Sequence, residues 1–239
     1  MQDNYVGDIG DYGKYGLLRA VCSEGMSLSV NWYRVIPKTV GKQDDGKYIN
    51  YLSKPQIYST YDLALFDSLH RIVCVEHDRH IARVEKENLF SAQYFSDEIG
   101  VSRSIWHQNA LRKTATSDIV FLDPDNGLET FTMFRTGGAT AKHVKWPELK
   151  DYYARGQSVI LYQHRPQRTT KEKCIEGVMC FQKEYLNADY VKLLEFPKYT
   201  NRFYFVFIHK NHQVAFESIF NLMIQRWGKN GFCRQISIQ

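Results

Sequence analysis

From residue 117 onward the chain alternates short apolar runs with longer runs of helical period, and this alternation constrains the fold more than any other feature. "SDIVFLDPD" reads as a strand, "KHVKWPELKDYYARG" as a helix ending at Gly156, "QSVILYQH" as a strand and "TKEKCIEGVMCFQKEYLN" as a helix. "DYVKLLEFP" and "RFYFVFIHK" give two further strands, and "QVAFESIFNLMIQRWG" a final amphipathic helix. Apolar strands alternating with helices predict a mainly parallel central sheet covered on both faces, a three-layer α/β/α arrangement.

The first half is less regular. "KYGLLRAVC" predicts a short helix after a glycine-rich turn, and "SLSVNWYRVIP" a strand stopped at Pro37. "YDLALFDSLH" is helical in pattern, whereas "RIVCVEHD" and "HIARVEKENLF" read as two β-rich runs. Between them a polar stretch at about 38–60 carries an Asp-Gly turn signal and no period, so a loop insertion is expected in a single α/β domain spanning 1–239.

With 239 residues the chain is long enough for a sizeable core. No apolar run approaches a membrane span, and the N-terminus lacks the basic start and apolar core of a signal peptide, which predicts a cytoplasmic protein without a membrane partner. The five cysteines form no Cys-x-x-Cys pair and the eight histidines show no ligand spacing, so neither a disulfide framework nor a metal site is expected. A formal charge of +5 with sixteen tyrosines and fourteen phenylalanines suits a polyanionic partner, namely nucleic acid.

Ligands of open α/β sheets sit outside the carboxyl ends of the strands. Two polar clusters fall at such ends. The first is "DPDNG", where Asp123, Asp125 and Asn126 follow a wholly apolar strand. The same residues also make an ordinary solvated turn, but a carboxylate at the end of a buried strand is partly desolvated, which suits a base or a stabiliser of positive charge. The second is "YQHRPQR", with Gln163, His164, Arg165 and Arg168. It is either a solvated basic loop or a histidine at the reaction centre flanked by phosphate-holding arginines.

Two segments supply candidate substrate contacts. "YVGDIGDYGKYG" carries Asp8, Asp11, Tyr12, Lys14 and Tyr15, but its glycine spacing is no dinucleotide fingerprint and no strand precedes it. "DDGKYINYL" offers Asp44, Asp45, Lys47, Tyr48, Asn50 and Tyr51, with acids, an amide and tyrosines suited to a polar base or sugar. "KYTNRFYF" adds Lys198, Tyr199, Asn201 and Arg202 before the last long strand, candidates for structural or phosphate-holding roles. Each of these also reads as plain surface or packing sequence.

The order of pieces resembles the methyltransferases that modify the adenine amino group of large-subunit ribosomal RNA, and more broadly the Asp-Pro-Pro-Tyr class. "GDIGDYGKYGLL" is similar to their opening segment at Gly7, Asp8, Asp11 and Lys14, and "FLDPDN" to their catalytic turn at Asp123 and Pro124. This resemblance implies S-adenosylmethionine as cofactor. Yet "VNWYRVIPKTVG" has no glycine-rich cofactor turn, and Asp125 and Asn126 stand where the family has proline and the base-stacking tyrosine. "LDPDN" and "YQHRP" also look, locally, like the two catalytic motifs of uracil-DNA glycosylases.

The leading expectation is therefore a cofactor-independent DNA glycosylase that hydrolyses the N-glycosidic bond of a flipped-out, modified base, an activity suited to defence against phages. In it Asp123, Asp125, Asn126 and His164 are the catalytic candidates. An S-adenosylmethionine-dependent adenine methyltransferase is the alternative, and a catalytically inactive nucleic-acid-binding module the third reading.

Overall fold

A computed structural model describes residues 2–35, 46–100, 102–166 and 168–238. In chain order the strands are β1 (Leu28–Asn31), β2 (Ala92–Phe95), β3 (Ile119–Leu122), β4 (Gly127–Leu128), β5 (His143–Val144), β6 (Ser158–His164), β7 (Tyr190–Phe196), β8 (Arg202–Ile208) and β9 (Arg234–Ile236). The helices are α1 (Ile9–Ser23), α2 (Pro55–Tyr58), α3 (Leu63–His70), α4 (Ile81–Glu87), α5 (Arg103–Lys113), α6 (Phe131–Thr136), α7 (Trp146–Ala154), α8 (Lys171–Phe181) and α9 (Gln213–Trp227). Among the described residues no helix is long and apolar enough to cross a membrane.

Seven strands form one mixed sheet in the order β2-β1-β3-β6-β8-β7-β9, and β4 pairs with β5 in a small parallel annex. β2, β1, β3 and β6 run parallel, β8 lies antiparallel between β6 and β7, and β9 closes the edge antiparallel to β7. β1 has β2 on one side and β3 on the other, so the order of the sheet reverses there.

Side chains of successive strand residues point to opposite faces, and both faces are apolar. Val30, Phe121, Ile160 and Val206 belong to one buried cluster with residues of α1, α3 and α9, such as Leu17, Leu69, Phe220 and Trp227. Val120, Leu122, Leu161 and Phe205 belong to another with Trp106, Leu149, Tyr152 and Phe181 from α5, α7 and α8. Strands buried on both sides need no polar alternation, which is why β3 reads Ile-Val-Phe-Leu without a break.

The structure corrects several sequence expectations. "RIVCVEHD" and "HIARVEKENLF" contribute no strand of their own. Residues Arg71–Val75 continue α3 as a π-helical turn, Ile81–Glu87 form α4, and the strand of this region is β2. Helical spacing explains it, because Ile81 and Val84, three apart, are both buried on one face. The first helix begins at Ile9, earlier than its apolar residues suggest, because Asp8 caps it by accepting from the Asp11 N–H at 2.9 Å. β1 ends at Asn31, two residues before Tyr33 turns the chain at φ 47°.

Candidate functional site

The N-terminus of α1 lies over the carboxyl ends of β3 and β6. Between them opens a cavity of about 430 Å3 lined by the first turns of α1, the Asp123–Asn126 turn, Tyr162 and His164 of β6, Arg202 of β8, and Lys47, Tyr48 and Lys142. The adjacent carboxyl end of β1 is filled by aromatic rings. Trp32 stacks on Tyr94 and donates to Glu85, and Tyr33 packs edge-on against Trp106, both buried. The cavity therefore sits to the β3–β6 side of the point where the strand order reverses.

Its floor is a buried network of charge. Lys14 Nζ donates to Asp11 Oδ1 at 2.7 Å and to Asp123 Oδ2 at 2.8 Å, and Tyr15 donates to Asp11 Oδ2 at 2.8 Å. Arg202 Nη2 reaches Asp8 Oδ2 at 3.3 Å. The guanidinium lies so close to α1 that a Cβ at Gly10 would collide with it, and Gly13 and Gly16, on the same helix face, admit Phe196 and Trp227 in the same way. The glycine pattern of the opening segment is thus a packing feature.

Asp125 accepts from Gln2 Nε2 at 2.6 Å and lies 3.3 Å from Lys142 Nζ. The turn that carries it is clamped to β6: Gln163 Oε1 accepts from Leu128 N at 2.8 Å, its Nε2 donates to Asn126 O at 3.3 Å, and His164 N donates to Asn126 O at 3.2 Å. The Asn126 amide meets His143 Nε2 at 3.3 Å.

These surroundings set the proton affinities. Burial raises the Asp123 carboxyl, against the Lys14 ammonium and with the Asp11 charge. Burial also raises Asp8, opposed by Arg202. The Lys14 ammonium is held well above its usual value, because Asp11 and Asp123 outweigh the burial that would lower it. Burial works to raise Asp125 too, yet its surroundings, including the Gln2 amide and the Lys142 ammonium, bring it below the usual carboxylate value. His164 is lowered by burial and by the charges of Arg202 and Arg165, which keeps its imidazole neutral at pH 7. Burial pushes the Tyr162 phenol up to about 12.

Of the residues singled out by sequence, Asp8, Asp11, Lys14, Tyr48, Asp123, Asp125, Asn126, His164 and Arg202 line this one cavity. Others do not. Tyr12 is a core residue, stacked on Tyr51 and donating to Tyr58 O at 2.6 Å, and Tyr15 lies beneath the floor, tied to Asp11. Gln163 is spent on the turn itself. Arg165 donates to Thr169 O at 2.9 Å, and Arg168 and Asn50 are exposed away from the cavity wall. Asp44 and Asp45 lie outside the described residues.

Sequence reasoning missed Tyr162, Lys142, Tyr5 and Thr200, whereas Lys47 of the "DDGKYINYL" segment does line the cavity. Tyr162 was legible, since it sits two residues before His164 on the same strand face. Lys142 was not, because it reaches the wall only through the pairing of β4 with β5.

The arrangement combines two carboxylates of unlike basicity, a neutral imidazole, and cations suited to phosphate. Among the described residues the His164 ring makes no hydrogen bond, and no group of three or more His, Cys, Asp or Glu is disposed to hold a metal ion. No protein-family model matches the chain, and sequence comparison with characterised proteins finds no match.

Proposed function

We propose that the protein hydrolyses the N-glycosidic bond of a nucleotide, taking one flipped-out unit of nucleic acid into the cavity above Lys14. The observation that carries this reading is the pair Asp123 and Asp125, two residues apart on the cavity lining, the first held by the buried Lys14 at 2.8 Å and the second by Gln2 at 2.6 Å and Lys142 at 3.3 Å, with their proton affinities driven in opposite directions. Carboxyl groups separated in this way divide acid–base and electrostatic work between them.

Asp125, ionised, stabilises the cationic character that develops on the sugar as the base departs. Asp123, the more basic, orients the attacking water and accepts its proton while the hydroxyl bonds to the anomeric carbon. The neutral His164 N–H donates to the departing base, and Asn126 fixes the water or the base edge. Lys142 and Arg202 supply charge for the flanking phosphates. A cavity of about 430 Å3 lies within the roughly 300–1,000 Å3 of small-ligand sites and suits one nucleotide with no second large ligand.

The test is incubation of purified protein, without cofactor, with normal and phage-modified DNA, followed by alkaline cleavage at abasic sites. Cleavage that vanishes in both Asp123→Asn and Asp125→Asn supports the reading. An absence of abasic sites on every substrate rejects it.

Methyl transfer to an adenine amino group is the second reading. It is favoured by the Lys14–Asp123 contact, which joins the two segments through which the sequence resembles the adenine methyltransferases. It requires a cofactor site, and the aromatic filling at the end of β1 weighs against one there. Calorimetric titration with S-adenosylmethionine separates the two: saturable binding favours transfer, and no heat of binding favours hydrolysis.

A further inference from the structure

The loop that joins β7 to β8 carries an aromatic ring in an unusual state. Tyr199 is 55% exposed and has φ 64°, a left-handed conformation that a bulky side chain adopts only when its surroundings hold it there. The restraint comes from the cavity itself. Arg202, anchored on Asp8, donates to Lys198 O at 3.3 Å and Thr200 O at 3.4 Å, and Thr200 N donates to Lys198 O at 2.9 Å.

The result is a ring stacked on Tyr48, with centroids 4.6 Å apart and planes at 24°. Tyr48 lines the cavity, as does Thr200, so the Tyr48–Tyr199 pair stands at its mouth. A ring that gives one face to Tyr48 and remains more than half exposed offers its second face outward. Lys142, with 47% of its side chain exposed, adds positive charge on the cavity wall.

We infer that the substrate is single-stranded nucleic acid, with the reacting nucleotide in the cavity and the base next to it stacked on the outer face of Tyr199. This rests on the reading that the cavity takes a nucleotide, and adds that it takes one from a flexible strand. Neighbouring bases of a duplex are held parallel by their stack, whereas one base inside a cavity and the next on a rim platform require an unpaired strand.

The experiment measures fluorescence anisotropy of a dye-labelled, mixed-sequence single-stranded DNA 12-mer, with the matching duplex, the RNA 12-mer and deoxynucleoside monophosphates as competitors. Tyr199→Ala is expected to weaken single-strand binding by about 5- to 150-fold, the worth of one base–aromatic stack. Tyr199→Trp is expected to retain it, and competition by monophosphates is expected to stay unchanged in both variants. The inference is overturned if the single strand does not bind, if Tyr199→Ala binds it as wild type does, or if the duplex competes equally well. Single-strand binding that depends on Tyr199, with no abasic product, would reject the glycosylase reading and leave the platform standing. The RNA competitor reports which sugar the strand carries.

Discussion

Lys14 and Asp123 are separated by 109 residues of chain and meet at 2.8 Å beneath the cavity, both buried. This ion pair fastens α1 to the Asp123–Asn126 turn that follows β3, so the helix and the turn form one unit. Two carboxylates share the ammonium, and removing it takes from both buried groups the cation they have in common.

Lys14→Met is therefore expected to destabilise the fold by about 3–5 kcal/mol, the usual cost of breaking a buried pair. Urea denaturation at pH 7 measures it. A loss below about 1 kcal/mol would mean that water reaches Asp11 and Asp123 and that the network is not the clamp described.

Gly10→Ala inverts the ordinary helix rule. Alanine in a helix interior stabilises by roughly 0.5–1 kcal/mol over glycine. At Gly10 the new Cβ meets the Arg202 guanidinium, so the variant is expected to lose about 1–3 kcal/mol, as overpacking does, and to displace Arg202 from Asp8. Gly177→Ala in α8, where nothing lies within 4 Å of the added Cβ, is the control and should gain stability. Thermal melts of the two variants should shift in opposite directions.

On the hydrolytic reading, acid should inactivate through His164. Its proton affinity is lowered by burial and by Arg202 and Arg165, so the imidazole stays neutral, and the site competent, until the pH falls through a value below 6.5. On the hydrolytic reading the rate holds steady from pH 8 down through pH 6.5 and drops below that point. His164→Asn should lower the rate and remove that part of the acid limb. An inflection above pH 7 in the wild type would contradict the assigned environment.

Asp125 predicts the pH dependence of stability. Its folded-state affinity lies below that of the unfolded chain, so its contribution is present in full above the unfolded carboxylate value near 3.9 and is lost as the pH falls through the lower, folded value. The difference in unfolding free energy between pH 7 and pH 3 should shrink in Asp125→Asn. Asp123 and Asp8, raised by burial, act with the opposite sign, so their asparagine variants should not show that shrinkage.

The sequence alone determined the alternation of β3, α7, β6, α8, β7, β8 and α9, because apolar runs flanked by turn residues and helices with one apolar stripe are local patterns that any α/β sheet must satisfy, whereas the short β4, α6 and β5 between β3 and α7 carried no such pattern. It also placed "DPDN" and "YQH" at carboxyl strand ends, since β3 ends where its apolar run ends and β6 only two residues beyond its own. The start of α1 was not read, because the glycines at 10 and 13 look like a turn and the apolar spacing begins only at "KYGLLRAVC", although Asp8 caps the helix at Ile9. "RIVCVEHD" misled because a short β-branched run carries the same local signal whether it is a strand or the buried edge of a helix.

Only the tertiary structure decided which polar residues share the cavity. Tyr12 and Tyr48 are both tyrosines in polar surroundings, yet one is packed among Tyr51, Phe66 and Trp227 while the other faces the site. Lys14 meets Asp123 because α1 docks over the end of β3, and Arg202 meets Asp8 because β8 is inserted antiparallel beside β6. Such encounters depend on long-range pairing and on space left by glycines at the point of contact. Local periodicity records which face of an element is buried, and it carries no information about the partner waiting on the other side.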